Sequence, residues 1–300
     1  MNANIHRHCP LCWENNSSAF LQKNELILVR CKHCAMIYAN PVPAEMAGEF
    51  YNNLGAPFYL SPEKLEGDYA GVRFERELRL FQTFCPQGSV LDVGCSTGAF
   101  LFQLKRRGAY RVVGTDISKP ALDYARSRDL EIIGHSFLEH DFGETRFEAV
   151  TFWAVIEHLL EPKKFLRKAA ALLKSGGHCF ILVPNMKSLA VRLLGKKYRY
   201  IFSQHVNYFT AKTLEEFSLT EHFARVASGS MHFNPIVIWQ DFRGRGGFVP
   251  DEQRAALLKR TTAYKQNPVL KPAKLIYRFA EKLLGGLNLA DNLFIVLRKK

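Results

Sequence analysis

The stretch Ser89-Val90-Leu91-Asp92-Val93-Gly94-Cys95-Ser96-Thr97-Gly98 decides the fold of this chain. Ser89–Val93 is a short apolar run of strand type. Gly94–Gly98 is a loop bounded by glycines, and residues 99–107 read as a helix. Glycines at such a turn let a ligand approach the backbone, and the helix start behind them offers N–H groups. The same alternation continues outward. Arg111–Asp116 is the next strand, and Ser118 stands where it can cap a helix over 119–128. Leu130–Ile133 and Phe147–Trp153 are further strands. Pro162–Leu173 reads as a helix stopped by Ser175-Gly176-Gly177, before a fifth strand, His178–Val183. Strand and helix in alternation predict an α/β protein with a parallel, doubly wound sheet.

In such a sheet a ligand sits beyond the carboxyl ends of the strands, where the strand order reverses. The Gly94–Gly98 loop falls there. Asp116, at the end of the second strand, is placed to accept hydrogen bonds from ribose hydroxyls. The loop reads Asp92-x-Gly94-x-x-x-Gly98 and not G-x-G-x-x-G, which disfavours a hydride-transfer enzyme.

Taken together, these segments resemble the class I S-adenosylmethionine (SAM)-dependent methyltransferases. Leu91–Gly98 matches their first motif and Val113–Ser118 their second; Phe147–Leu159 is similar to their fourth-strand signature, and Leu172–Gly177 to the turn before their fifth strand. The resemblance implies a Rossmann-like seven-stranded sheet whose last strand, Asn292–Arg298, is antiparallel. It implies that Asp92, inside the first strand, belongs to the cofactor site, and that Gly94, Cys95, Ser96 and Gly98 line the methionine half of SAM. Asp116 would hold the ribose, with Ile117 against adenine. Trp153 would face cofactor and substrate, and Tyr69 would close over SAM. There are departures. Ser96 replaces a glycine and Glu148 an aspartate. The acid that commonly binds the adenine amino group is missing near His135-Ser136-Phe137, which leaves that contact to Ser136 or to backbone.

Methyl transfer from a sulfonium is a direct displacement, so positioning carries much of the catalysis. A base is needed only where the acceptor must lose a proton. His158 and His205 are the candidates, because histidine titrates near neutral pH. His158 lies in Glu157-His158-Leu159, a triplet that recurs in methyltransferases of many substrates. His205 lies in Phe202-Ser203-Gln204-His205-Val206-Asn207-Tyr208-Phe209. That segment resembles the Tyr-x-Glu-His-Leu-x-Tyr-Phe of zinc-ribbon sugar C-methyltransferases. Phe202 and Gln204 replace its tyrosine and glutamate, which favours an O- or N-methyl acceptor over carbon.

Near the amino end, Cys9-x-x-Cys12 and Cys31-x-x-Cys34 have the spacing of a structural zinc site with four thiolates and no open position. The segment between them reads as the hairpin of a zinc ribbon, in which metal binding supplies the stability that a small core cannot. The expected organisation is a ribbon over residues 1–45, a helical linker and cofactor cap over 46–88, and a methyltransferase domain over 89–300 with a basic helical insertion at about 236–290.

Net charge is +13, and it is uneven. Residues 1–186 carry 21 Lys+Arg against 20 Asp+Glu, whereas residues 187–300 carry 20 against 8. Such charge speaks of partners and not of fold. In Pro268–Leu287, the residues Leu270, Leu275, Ile276, Phe279, Leu283 and Leu284 approximate helical spacing, with Lys271, Lys274, Arg278 and Lys282 between them. Such a helix lies on anionic lipid or packs its apolar face on the domain. The acceptor expected under a basic cap is small and anionic: a phosphorylated sugar, nucleotide sugar, glycan or lipid-linked intermediate. An RNA methyltransferase and a non-catalytic interaction protein of the same fold are the alternatives, and the near-neutral ribbon speaks against RNA. No apolar run approaches transmembrane length and no secretory signal is expected, so the expected location is cytoplasmic, with peripheral membrane contact left open by the basic helix.

Overall fold

The computed structural model describes residues 4–43, 56–219, 222–244, 251–267 and 271–300. The N-terminal module holds β1 (Asn4–Ile5), the hairpin β2 (Ser17–Lys23) and β3 (Leu26–Cys31), then β4 (Ile37–Ala39) and β5 (Val42–Pro43). Asn24 takes φ +53° in the two-residue hairpin turn, a backbone region that asparagine tolerates better than most side chains. Helices α1 (Ala56–Tyr59), α2 (Pro62–Tyr69) and α3 (Glu75–Phe84) lead to the large domain. There β6 (Gly88–Val93), α4 (Ala99–Lys105), β7 (Tyr110–Thr115), α5 (Lys119–Arg126), β8 (Glu131–Ile133), β9 (Phe147–Trp153) and α6 (Pro162–Leu172) alternate as the sequence predicts. They are followed by β10 (Leu173–Pro184), α7 (Leu189–Leu194), β11 (Asn207–Tyr208), α8 (Ala211–Ser218) and β12 (Phe223–Met231). Helices α9 (Pro235–Arg243), α10 (Asp251–Gln266) and α11 (Lys271–Gly286) precede the last strand, β13 (Asn292–Lys299).

The large sheet has seven strands in the order β12-β13-β10-β9-β6-β7-β8. β13 runs antiparallel to both β10 and β12, and the β10, β9, β6, β7 and β8 neighbours pair in parallel. This is the doubly wound α/β sheet with an antiparallel last strand. Successive side chains of a strand point to opposite faces, and this splits the core. Leu91 and Val93 of β6 join Val113, Phe152, Ile181 and Ile295 in one cluster with Leu166 of α6 and Leu214 of α8. Val90 faces the other way, with Val112, Ala149, Phe180, Leu78, Phe81 and Phe100. Strands covered on both faces need near-continuous apolar runs, which is why these segments were readable.

The second sheet is organised otherwise than the boundary at residue 45 suggests. It has four strands in the order β11-β4-β3-β2, and its edge strand β11 comes from the large domain. Asn207 pairs with Tyr38 and Tyr208 with Ile37. The ribbon is therefore sewn into the domain that follows it. The fifth strand is also longer than expected: β10 starts at Leu173, and its register to β9 shifts between Leu173 and His178.

Candidate functional site

The loop after β6 is tied to the end of β7 and to itself by its own donors. Gly94 N–H and Cys95 N–H donate to the Thr115 carbonyl at 2.7 and 3.1 Å, and Gly98 N–H donates to Cys95 O at 2.9 Å. Gly94 and Gly98 both sit at φ +75°. A Cβ on Gly94 would stand 2.5 Å from Val155 Cγ2, and one on Gly98 would stand 2.3 Å from Leu130 Cδ1. Two close approaches and two left-handed backbones thus require these glycines. Cys95 is buried beneath the loop, its Sγ against Gly114.

Asp116 is the loop's brace. Its Oδ2 accepts from Ser96 N–H at 2.8 Å and its Oδ1 from Ser118 N–H at 2.9 Å. Burial raises its pKa, while these N–H groups pull the other way. A carboxylate has about four lone-pair sites, so two accepted bonds leave capacity for further donors. Ile117 beside it is 45% exposed, an uncovered hydrocarbon where a flat apolar ring would fit. Asp92 is deeply buried, accepts from Thr151 Oγ1 at 2.6 Å, and is pushed up to about 7 by burial. Tyr69, at the end of α2, donates its hydroxyl to the Thr97 carbonyl, and its ring meets Phe102 and Tyr124 edge-on. Ser136 lies half-buried after β8, its carbonyl accepting from Glu139 and His140 N–H at 3.0 Å. Trp153, at the end of β9, packs its ring on Phe100 and Phe180, centroids 5.2 and 6.1 Å away. Its indole N–H is buried without a hydrogen-bond partner.

His158 and His205, 47 positions apart in the chain, meet with ring centroids 4.7 Å apart and nearly perpendicular. The short helical turn Ile156–His158 begins three residues after the end of β9, and Val155 just before it is the side chain against Gly94. The turn is tied to residues 204–207. Val206 N–H donates to Glu157 O at 2.8 Å, and Asn207 Nδ2 donates to the carbonyls of Ile156 and Leu159 at 2.9 and 2.7 Å. Asn207 Oδ1 in turn accepts from Arg7 of the ribbon. Burial lowers His158 to about 4 and raises Glu157 to about 8. The sequence reading took the two histidines as candidates and passed over Glu157, which is fully buried with neither carboxylate oxygen hydrogen-bonded. Its place beside a candidate histidine is visible in the sequence; its burial without a hydrogen bond is not.

The four cysteines converge as their spacing predicts. Cys9 and Cys34 Sγ are 3.5 Å apart, as are Cys12 and Cys31 Sγ. A tetrahedron of thiolates at Zn–S of about 2.3 Å sets sulfurs roughly 3.8 Å apart, so this cluster fits a structural zinc ion. Cys85, Cys95 and Cys179 are buried, as expected of core thiols.

A family model described as a methyltransferase domain matches residues 69–218, half of the chain, and the chain belongs to that family. A ubiquinone biosynthesis O-methyltransferase of Alkalilimnicola ehrlichii is 37% identical over 118 residues, 36% of this chain and 47% of that protein. The corresponding Vibrio vulnificus enzyme is 34% identical over 145 residues, 44% of this chain and 61% of that protein. The chain thus spans about half the length of the curated relatives it matches. Two solved structures share the fold. A Thermotoga maritima SAM-dependent methyltransferase, described as a possible histamine N-methyltransferase, has TM-score 0.53 at 14% identity, covering 82% of this chain and 99% of its own. A chain from the complex of the Haloferax volcanii Trm112 methyltransferase activator with a methyltransferase has TM-score 0.55 at 15% identity, covering 82% and 97%.

Proposed function

We propose that this chain transfers a methyl group from SAM to oxygen or nitrogen of a small anionic acceptor: a sugar phosphate, nucleotide sugar, glycan or lipid-linked intermediate. The observation that carries the reading is the adjacency of two features at the strand ends. The glycine-closed loop after β6 touches Val155, and the Glu157-His158-His205 group begins two residues further on. SAM supplies the electrophilic methyl. Gly94, Cys95, Ser96 and Gly98 receive its methionine half, Asp116 takes the ribose hydroxyls, and Ile117 and Ser136 border the adenine. Tyr69 closes the loop from outside, and Trp153 forms the floor. The acceptor lies toward His158 and His205, where positioning and proton removal are both available. The curated relatives are named O-methyltransferases, which supports oxygen. The Cys9-Cys12-Cys31-Cys34 cluster holds a structural zinc ion.

The helical insertion supports an acceptor presented at an anionic lipid surface. Leu275, Ile276, Phe279 and Leu283 of α11 are 56–73% exposed, whereas Tyr277 and Glu281 face inward. Arg278 and Lys282 stand exposed among them. Hydrocarbon flanked by cations is the complement of an anionic bilayer interface. Among the described residues no helix is long and apolar enough to cross a membrane. Leu270 lies outside the described residues.

Mass spectrometry of metabolite and lipid extracts incubated with the protein and methyl-labelled SAM tests the reading. A labelled phosphorylated or lipid-linked product is expected. Label confined to RNA, or no labelled product, contradicts it.

A further inference from the structure

Glu157 poses a problem that methyl transfer alone does not solve. It is fully buried, and neither of its carboxylate oxygens has a hydrogen-bond partner. An isolated buried carboxylate is costly, and the usual resolutions are protonation, an ion pair, hydrogen bonds or a metal ion. What surrounds it points to the last. One carboxylate oxygen of Glu157 and one ring nitrogen each of His158 and His205 lie within 4.8 Å of one another. The histidines are held for ligation. His158 Nδ1 is 2.9 Å from the carbonyl of Gln204, and His205 Nδ1 is 3.0 Å from that of Tyr200. A carbonyl oxygen only accepts, so each Nδ1 carries a proton, and in the neutral tautomer the lone pair lies on Nε2. A ring N–H fixed on a backbone carbonyl is the outer-shell arrangement typical of metal-binding histidines. The backbone framing is equally firm, since the turn bearing Glu157 and His158 is bonded to the segment bearing His205 through Val206 and Asn207.

We propose that Glu157, His158 and His205 form a second metal site, distinct from the cysteine cluster, for a divalent transition ion such as Zn²⁺. Two imidazoles and one carboxylate suit such an ion and leave coordination positions open. An ion there stands beside the loop assigned to SAM. In its open position it would hold an acceptor oxygen, lowering the pKa of a bound hydroxyl. That role rests on the methyl-transfer reading; the metal site itself does not.

The test is metal content of the full chain after zinc loading and desalting, by plasma mass spectrometry. Two zinc ions per chain are expected for the wild type, and one for Glu157→Gln and for His158→Ala. Cobalt replacement adds a check on folding. The cysteine cluster gives a thiolate-to-cobalt charge-transfer band, which should survive in both variants, while the second equivalent adds no such band. X-ray absorption at the zinc edge of the wild type decides the matter if a variant fails to fold. Mixed sulfur and nitrogen/oxygen coordination supports the site. One zinc per chain with sulfur ligands alone, or two zinc ions retained in both variants, overturns it. Either result leaves the labelled-SAM experiment to be read independently.

Discussion

Gly98 shows at single-residue scale how the cofactor loop is specified. A left-handed backbone costs a non-glycine residue about 1–2 kcal/mol, and the new Cβ would collide with Leu130. Overpacking of this kind adds roughly 1–3 kcal/mol. Gly98→Ala should therefore lower the urea midpoint and weaken SAM binding together, measured by chemical denaturation and calorimetry. An unchanged midpoint would contradict the packing described. Asp92 carries a pH signature. Its folded pKa is raised to about 7 by burial, so its contribution to stability is full below the unfolded value near 4 and is lost as pH rises through about 7. Asp92→Asn removes that titration. The stability of the variant relative to wild type should improve between pH 5 and pH 8, read from urea midpoints at both. The loop glycines and Asp116 were legible in the sequence because steric demand and strand-end position leave few alternatives. The unpartnered burial of Glu157 was not, because nothing in one sequence says whether a buried acid finds a partner.

Among the elements, α11 is where periodicity underdetermined the outcome. Its spacing named the apolar stripe but not whether that stripe meets the body of the protein or the solvent. In the structure Gly285 sets the helix close on β12, where a Cβ would come within 2.8 Å of Ser230 O, and Tyr277 donates to Phe233 O at 2.5 Å. That contact turns Leu275, Ile276, Phe279 and Leu283 outward. Co-sedimentation with vesicles containing phosphatidylglycerol should be lost in Ile276→Ser/Phe279→Ser, with thermal stability within a few degrees of wild type. Equal binding by both proteins, or no binding by wild type, would contradict the lipid-surface reading. The large sheet was legible nearly strand by strand. β11 was not, because a two-residue strand has no pattern of its own and exists only through its partner β4.

Across the whole molecule, that pairing makes the N-terminal module a support for the segment bearing His205, the side proposed for the acceptor. Ala39 N–H donates to the carbonyl of Val206, next to His205, at 2.9 Å, and Arg7 holds Asn207, one residue further on. The cofactor loop is braced separately, by Asp116 and Thr115. If the cysteine cluster holds zinc as proposed, stripping it, or Cys9→Ser, should depress methyl transfer more than SAM affinity; equal losses would contradict the division. The concentration of charge in residues 187–300 acquires a location from the same view. Part of it is neutralised internally, as where Arg199 meets Asp241 at 2.6 Å, and the exposed remainder includes Arg278 and Lys282 around α11. In the proposed reading the Gly94–Gly98 loop and Asp116 bind SAM. Isothermal calorimetry of the purified chain with SAM, beside Asp116→Ala, tests it most directly. One equivalent of SAM should bind the wild type, with affinity reduced at least tenfold in the variant. No heat of binding to the wild type, or an unchanged affinity in Asp116→Ala, would contradict the account.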